Sequence, residues 1–109
     1  MLNQMVTSTD GDKFWYKDDK LHREDGPAIE LSDGSKEWYQ NGLLHRTDGP
    51  AVEHISGSKF WYEKGVPHRT DGPAIEYTDG TKFYYINGKQ LTEDQQNSPS
   101  FMEFTKYLG

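Results

Sequence analysis

Apolar residues along this chain are sparse and fall in step. Trp15, Trp38 and Trp61 stand 23 residues apart, and Tyr84 follows at the same interval. Tyr16, Tyr39, Tyr62 and Tyr85 come directly after them. The polar positions keep the same beat. Gly11, Gly34, Gly57 and Gly80 precede the aromatic pairs, with Lys13, Lys36, Lys59 and Lys82 between. His22-Arg23, His45-Arg46 and His68-Arg69 follow them. Then come Asp25-Gly26-Pro27-Ala28, Asp48-Gly49-Pro50-Ala51 and Asp71-Gly72-Pro73-Ala74, completed by Glu30, Glu53 and Glu76. No insertion interrupts the period from residue 11 to about 94. A fixed step of this size marks a stack of supersecondary units.

The unit reads as β. In the second copy, Ala28 to Leu31 is a short strand, Ser32 to Ser35 a turn and Lys36 to Gln40 an aromatic strand. Asn41-Gly42 is the signal for a two-residue type I′ hairpin. Leu43 to Arg46 returns, and Asp48-Gly49-Pro50 breaks the ladder, because Pro donates no hydrogen bond and Gly accepts a positive φ. A two-residue turn at Asp33-Gly34 predicts Leu31 opposite Lys36 and Ile29 opposite Trp38. The same turn at Asn41-Gly42 predicts Tyr39 opposite Leu44 and Trp38 opposite His45. Alternation then places Ile29, Trp38 and His45 on one face, and Tyr39, Leu44, Glu37 and Arg46 on the other. Under that register the Trp rings form most of the core and the Tyr row lies partly exposed.

The expected fold is all-β: an antiparallel meander of repeated β-hairpins in a single sheet, closed by a short C-terminal α-helix. One domain, 1–109, holds repeats at about 11–33, 34–56 and 57–79, a partial repeat at 80–97 and the helix at 98–109. In that partial copy Leu91-Thr92 replaces His-Arg and Gln95-Gln96 replaces Gly-Pro. Ser98-Pro99 reads as an N-cap with Pro at the first helical position. Phe101, Phe104 and Leu108 follow at helical spacing, either as a cap on the last hairpin or as anchors for a partner's groove.

The string Gly-x-Lys-x-Trp-Tyr-x-x-Gly-x-x-His-Arg-x-Asp-Gly-Pro-Ala resembles the MORN-variant repeats. It is more similar still to the WYxNGxxHRxDGPA repeats of bacteriophage and mobile-element proteins. The resemblance covers about residues 11–94. It implies a non-enzymatic hairpin array used for protein or lipid contact, and here a phage-type inhibitor of a host protein, such as a host-defence factor. The His-Arg and Asp-Gly-Pro-Ala segments depart from the common MORN repeat and weaken the lipid role.

Composition narrows the classes further. The chain has no Cys, which excludes disulfide frameworks, Cys-zinc sites and thiol catalysis. Three Trp, seven Tyr and five Phe carry the apolar content, unlike a disordered chain. There is no run long and apolar enough to span a membrane, and Met1 to Asp12 lacks the pattern of a signal peptide, so a cytoplasmic protein is expected. A net charge of −6 disfavours nucleic acid and anionic lipid as partners.

Candidate chemistry follows the rows. His22, His45 and His68 are too far apart to share one ion, since equivalent residues one hairpin along lie about 10 Å apart. They read as a structural ladder, with a pH-sensitive surface as the alternative. Arg23, Arg46 and Arg69 are the chain's three arginines, each two residues before Asp25, Asp48 or Asp71. They either brace the Asp-Gly-Pro turns or, beside Tyr16, Tyr39, Tyr62 and Tyr85, form a row for phosphate or acidic groups. No catalytic motif occurs, and equal copies do not create one unique pocket. No cofactor or metal is expected. Two functions remain: binding of a protein partner, and capture of a phosphate-bearing nucleotide by Arg and Tyr. A second copy pairing through the sheet edges is a further candidate partner.

Overall fold

The computed structural model describes residues 3–92 and Gln95. The chain opens with β1 (Asn3–Thr7), β2 (Lys13–Lys17) and β3 (Lys20–Leu21). Each later repeat is a pair of hairpins. The first such pair is β4 (Ile29–Glu30) with β5 (Lys36–Glu37), then β6 (Tyr39–Gln40) with β7 (Leu43–Leu44). The next is β8 (Val52–Glu53) with β9 (Lys59–Phe60), then β10 (Tyr62–Glu63) with β11 (Val66–Pro67). The last is β12 (Ile75–Glu76) with β13 (Lys82–Phe83), then β14 (Tyr85–Ile86) with β15 (Lys89–Gln90). The expected antiparallel meander is therefore the fold. The first hairpins merge into one nine-stranded sheet in the order β1-β2-β4-β5-β8-β9-β12-β13, with β3 on β2. The second hairpins are separate two-stranded ladders alongside it.

Trp38 joins the two halves of its repeat and interrupts the aromatic strand. Its N–H donates to the Ala51 carbonyl (2.7 Å) and its carbonyl accepts from the His45 N–H (3.0 Å). The second hairpin has the expected register, Tyr39 opposite Leu44, and its turn has the left-handed pair Asn41 (φ 50°) and Gly42 (φ 83°).

The first hairpin differs by one residue. Glu30 faces Lys36 and Ile29 faces Glu37, in place of the expected Leu31–Lys36 and Ile29–Trp38 pairs. The loop is three residues long. The Gly34 N–H donates to the Leu31 carbonyl, the Leu31 N–H donates to the Ser35 carbonyl, and Gly34 takes φ 99°. That is a type I turn followed by a left-handed bulge glycine. A one-residue slip exchanges the faces. Ile29 therefore shares its face with Glu37, and Trp38 lies on the opposite one.

Two rows result. On one face Lys13, Glu30, Lys36, Glu53, Lys59, Glu76 and Lys82 oppose one another in alternating charge across the sheet. On the other face Val6, Phe14, Ile29, Glu37, Val52, Phe60, Ile75 and Phe83 form a mainly apolar row. Strand β1 occupies the place that Ile29–Glu30 or Val52–Glu53 take elsewhere, with Val6 and Thr7 opposite Phe14 and Lys13. The array thus starts before residue 11.

The molecule measures 48 × 32 × 17 Å, the thickness of a single sheet with its side chains. In one layer a ring is covered on one side only, so Trp15, Trp38 and Trp61 are half-buried and do not form the expected core. Among the described residues the buried apolar positions are Ala28, Ala51 and Ala74, together with Ile86 and Leu91. The expected helix at 98–109 lies outside the described residues. Gln95 is helical, and it exchanges bonds with Thr92: Thr92 N–H to Gln95 Oε1 (2.8 Å), and Gln95 N–H to Thr92 Oγ1 (3.2 Å). This reciprocal pair is a capping box, ahead of the Ser98-Pro99 cap read from the sequence.

Candidate functional site

The arginines are placed by the slipped register. Their guanidinium carbons sit 3.9, 3.8 and 3.8 Å from the ring centroids of Trp15, Trp38 and Trp61. In the central copy Arg46 Nε donates to Asp48 Oδ1 (2.9 Å), and Nη1 donates to the Pro50 carbonyl and to Glu53 Oε2 (both 3.0 Å). Arg23 makes the same set with Asp25, Pro27 and Glu30. Arg69 makes it with Asp71, Pro73 and Glu76, the last at 3.5 Å. Each cation therefore lies on an indole, where such contacts are worth about 0.5–2 kcal/mol, and meets two carboxylates. In the central copy the expected Arg46–Tyr39 face is not formed, because Arg46 lies on Trp38 while Tyr39 bonds to Glu37 on the apolar face.

The intervening glycine leaves room for this arrangement. A Cβ on Gly49 or Gly72 would stand 2.9 Å from the guanidinium carbon, and one on Gly26 3.1 Å. None of the three has a positive φ, which corrects the reason expected for Gly49. Glycine here leaves the space that the arginine occupies, and an added Cβ would make the guanidinium shift.

The histidines staple neighbouring repeats. Nδ1 of His22, His45 and His68 accepts the N–H of Asn41, Lys64 and Asn87 at 2.9, 2.9 and 2.8 Å. Each donor lies at the Asn-Gly-type turn of the following copy. A neutral ring with Nδ1 as acceptor holds its proton on Nε2. In buried His22 this Nε2 makes no hydrogen bond, and Glu24 Oε1 lies 3.5 Å away.

Between successive Arg–Trp stacks lie grooves. One, of about 910 Å³, is lined by Arg23, Asp25 and Gly26 together with Trp38, His45 and Arg46. Its repeat-related neighbour, about 440 Å³, runs from Arg46 and Asp48 to Trp61 and His68. A third of about 430 Å³ lies beside Trp15 and His22. The arginine side chains are 21–23% exposed, whereas Asp25, Asp48 and Asp71 are 87, 83 and 70% exposed. A ligand at the rim meets this carboxylate row, with exposed Lys64 beside the 910 Å³ groove.

Among the tyrosines, Tyr16 also lines the 430 Å³ groove, whereas the Tyr39 hydroxyl bonds on the apolar face. Tyr16, Tyr39, Tyr62 and Tyr85 are half-buried, and Tyr16 and Tyr39 stand two residues along from Phe14 and Glu37 on the apolar face. Tyr39 donates to Glu37 Oε1 (3.0 Å). Burial, with the Glu37 carboxylate beside it, pushes its phenol up to about 12. Tyr77 stacks edge-on between Phe60 and Phe83, with centroids 5.5 and 6.4 Å apart.

Two sets of residues escaped the sequence reading. Leu43 and Val66 pack on Gly65 and Gly88 of the following turn, where a Cβ would come within 3.2 Å. Buried Ser35 accepts the Ile55 N–H through Oγ at 2.8 Å, linking neighbouring loops. A comparison of positions 20, 43 and 66 across the copies would have marked the first set, since each stands 22 residues before a turn glycine. No protein-family model matches this chain, and no curated protein matches it.

Proposed function

We propose that this protein is a non-catalytic module that binds another protein along its grooved Trp–Arg–His face. The observation that carries the reading is the row of repeat-related grooves with exposed carboxylate rims. Three like sites in register suit an extended or repetitive surface better than one small substrate. The rims and the net charge of −6 favour a basic partner. Nucleotide capture is less well supported. Each guanidinium is already matched by two carboxylates, so a phosphate would have to displace them.

Thr47 lines both the 910 and the 440 Å³ grooves, is exposed, and takes no part in the arginine brace. Thr47→Arg fills the grooves with bulk and positive charge. Ile55, 58% exposed, lies by the loops away from the grooves. When the immobilised protein captures its partner from cell extract, Thr47→Arg should abolish the capture and Ile55→Glu should leave it intact. The reverse pattern would move the interface to the loop edge at Ile55.

A further inference from the structure

We propose that the groove row is a track for a proline-rich, basic peptide in polyproline II conformation, one three-residue turn per groove. The inference rests on the reading above that this face binds protein, and adds the conformation and spacing of the segment bound.

Spacing is the first argument. Each repeat adds two neighbouring strands to the sheet. At about 4.8 Å per strand, equivalent points in successive grooves are about 9.6 Å apart. A polyproline II helix advances about 9.3 Å in its three-residue turn, so like side chains fall into successive grooves with a drift of about 0.3 Å each. A β-strand returns a side chain to the same side every two residues, about 6.7 Å, and misses the step.

The groove chemistry is the second argument. Trp15, Trp38 and Trp61 each contribute to a groove wall, and aromatic-lined grooves suit the preformed polyproline II helix. The groove backbone is already committed. Arg46 N–H donates to the Tyr62 carbonyl, and Lys64 N–H donates to His45 Nδ1. An added β-strand would find these groups taken, whereas a proline-rich ligand has few amide donors to satisfy. Charge also matches. An exposed carboxylate recurs in each repeat, from Asp25 (with Glu24 beside it), Asp48 and Asp71, and asks for a cation in each turn of the ligand.

Three synthetic peptides separate the parts of the claim in calorimetric titration of the full chain. One has four Pro-Pro-Lys triplets. The second has the same residues with the lysines grouped at one end. The third has four Gly-Ser-Lys triplets, with the spacing but without the stiffness. The first should bind at least tenfold more tightly than either other, and Thr47→Arg should weaken it at least tenfold without lowering the melting temperature. Equal binding of all three overturns the conformational claim and leaves a basic partner. Absence of binding by the first, while Thr47→Arg still abolishes capture from extract, overturns the polyproline claim and leaves the protein-binding reading standing. Loss of both overturns both.

Discussion

Gly49 shows how one residue type serves two different needs in this repeat. Gly34 is glycine because its φ of 99° disfavours a side chain, whereas Gly49 is glycine because Arg46 lies against it. Gly49→Ala should push the guanidinium off Trp38 and cost about 1–3 kcal/mol, the usual range for an overfilled site. Urea melts followed by Trp fluorescence measure it. On an Arg46→Ala background the same change should cost much less, because the clash is gone. If the costs simply add, the close approach is not the reason for the glycine. Arg46→Ala alone should lower stability, since Trp38 loses its cover and Glu53 its cation. Tyr39 supplies a pH test at the same scale. Its phenol ionises at 10.0 in the unfolded chain and at about 12 when folded. Its contribution is fully present below pH 10 and is lost as pH rises from 10 to 12. In an ultraviolet phenolate titration Tyr39→Phe should remove signal near pH 12, and loss of signal near pH 10 instead would contradict the Glu37 contact.

At the scale of the hairpin, local sequence determined one register and left the other open. Asn41-Gly42 has a single short-range reading, and Tyr39 faces Leu44 as it predicts. Asp33-Gly34 has two, a two-residue turn or a three-residue turn with a bulge glycine, and both place glycine at a positive φ. The apolar pattern does not choose between them, since Ile29 and Leu31 lie on the same side of the strand in either case. What decides is non-local: Lys36 lies between Glu30 and Glu53 in the charge row, and Ser35 bonds to the next loop. Hence the repeat and its hairpins were legible, while the partner of each arginine was not. Strand β1 was hidden for another reason, because Met5-Val6-Thr7 does not look like Ala28-Ile29-Glu30 although it fills the same place. Ser35→Ala tests the loop-to-loop link. It leaves the Ile55 N–H without its acceptor, and such a loss costs about 1–3 kcal/mol when water cannot replace it. Ser32→Ala, at an exposed turn position, should be nearly neutral in the same denaturant melts. Equal effects of the two would remove Ser35 from its bridging role.

Over the whole molecule, stability is distributed along the array and not concentrated in one core. The buried apolar positions recur once per repeat as Ala28, Ala51 and Ala74. The histidine bonds run to the next copy: His22 to Asn41, His45 to Lys64, His68 to Asn87. Such an array behaves as a sum of repeat and nearest-neighbour terms. A chain with residues 28–50 removed therefore makes a decisive variant. Its new junction, Pro27 to Ala51, has the same Pro-Ala sequence as the native Pro27-Ala28 and Pro50-Ala51 steps. Every element of the missing copy has an equivalent in the next: Val52 can face Phe14 as Ile29 does, Lys64 N–H can meet His22 as Asn41 does, and Tyr62 can receive the Arg23 N–H. The shortened protein should retain a β-type circular dichroism spectrum and a cooperative urea transition. Its midpoint should be lower, and its m-value should fall with the surface removed. A deletion one residue longer, 28–51, puts the sheet out of register and should not fold. If the in-step deletion also fails to fold, stability depends on contacts beyond neighbouring repeats, and the groove row cannot be treated as a set of equivalent sites.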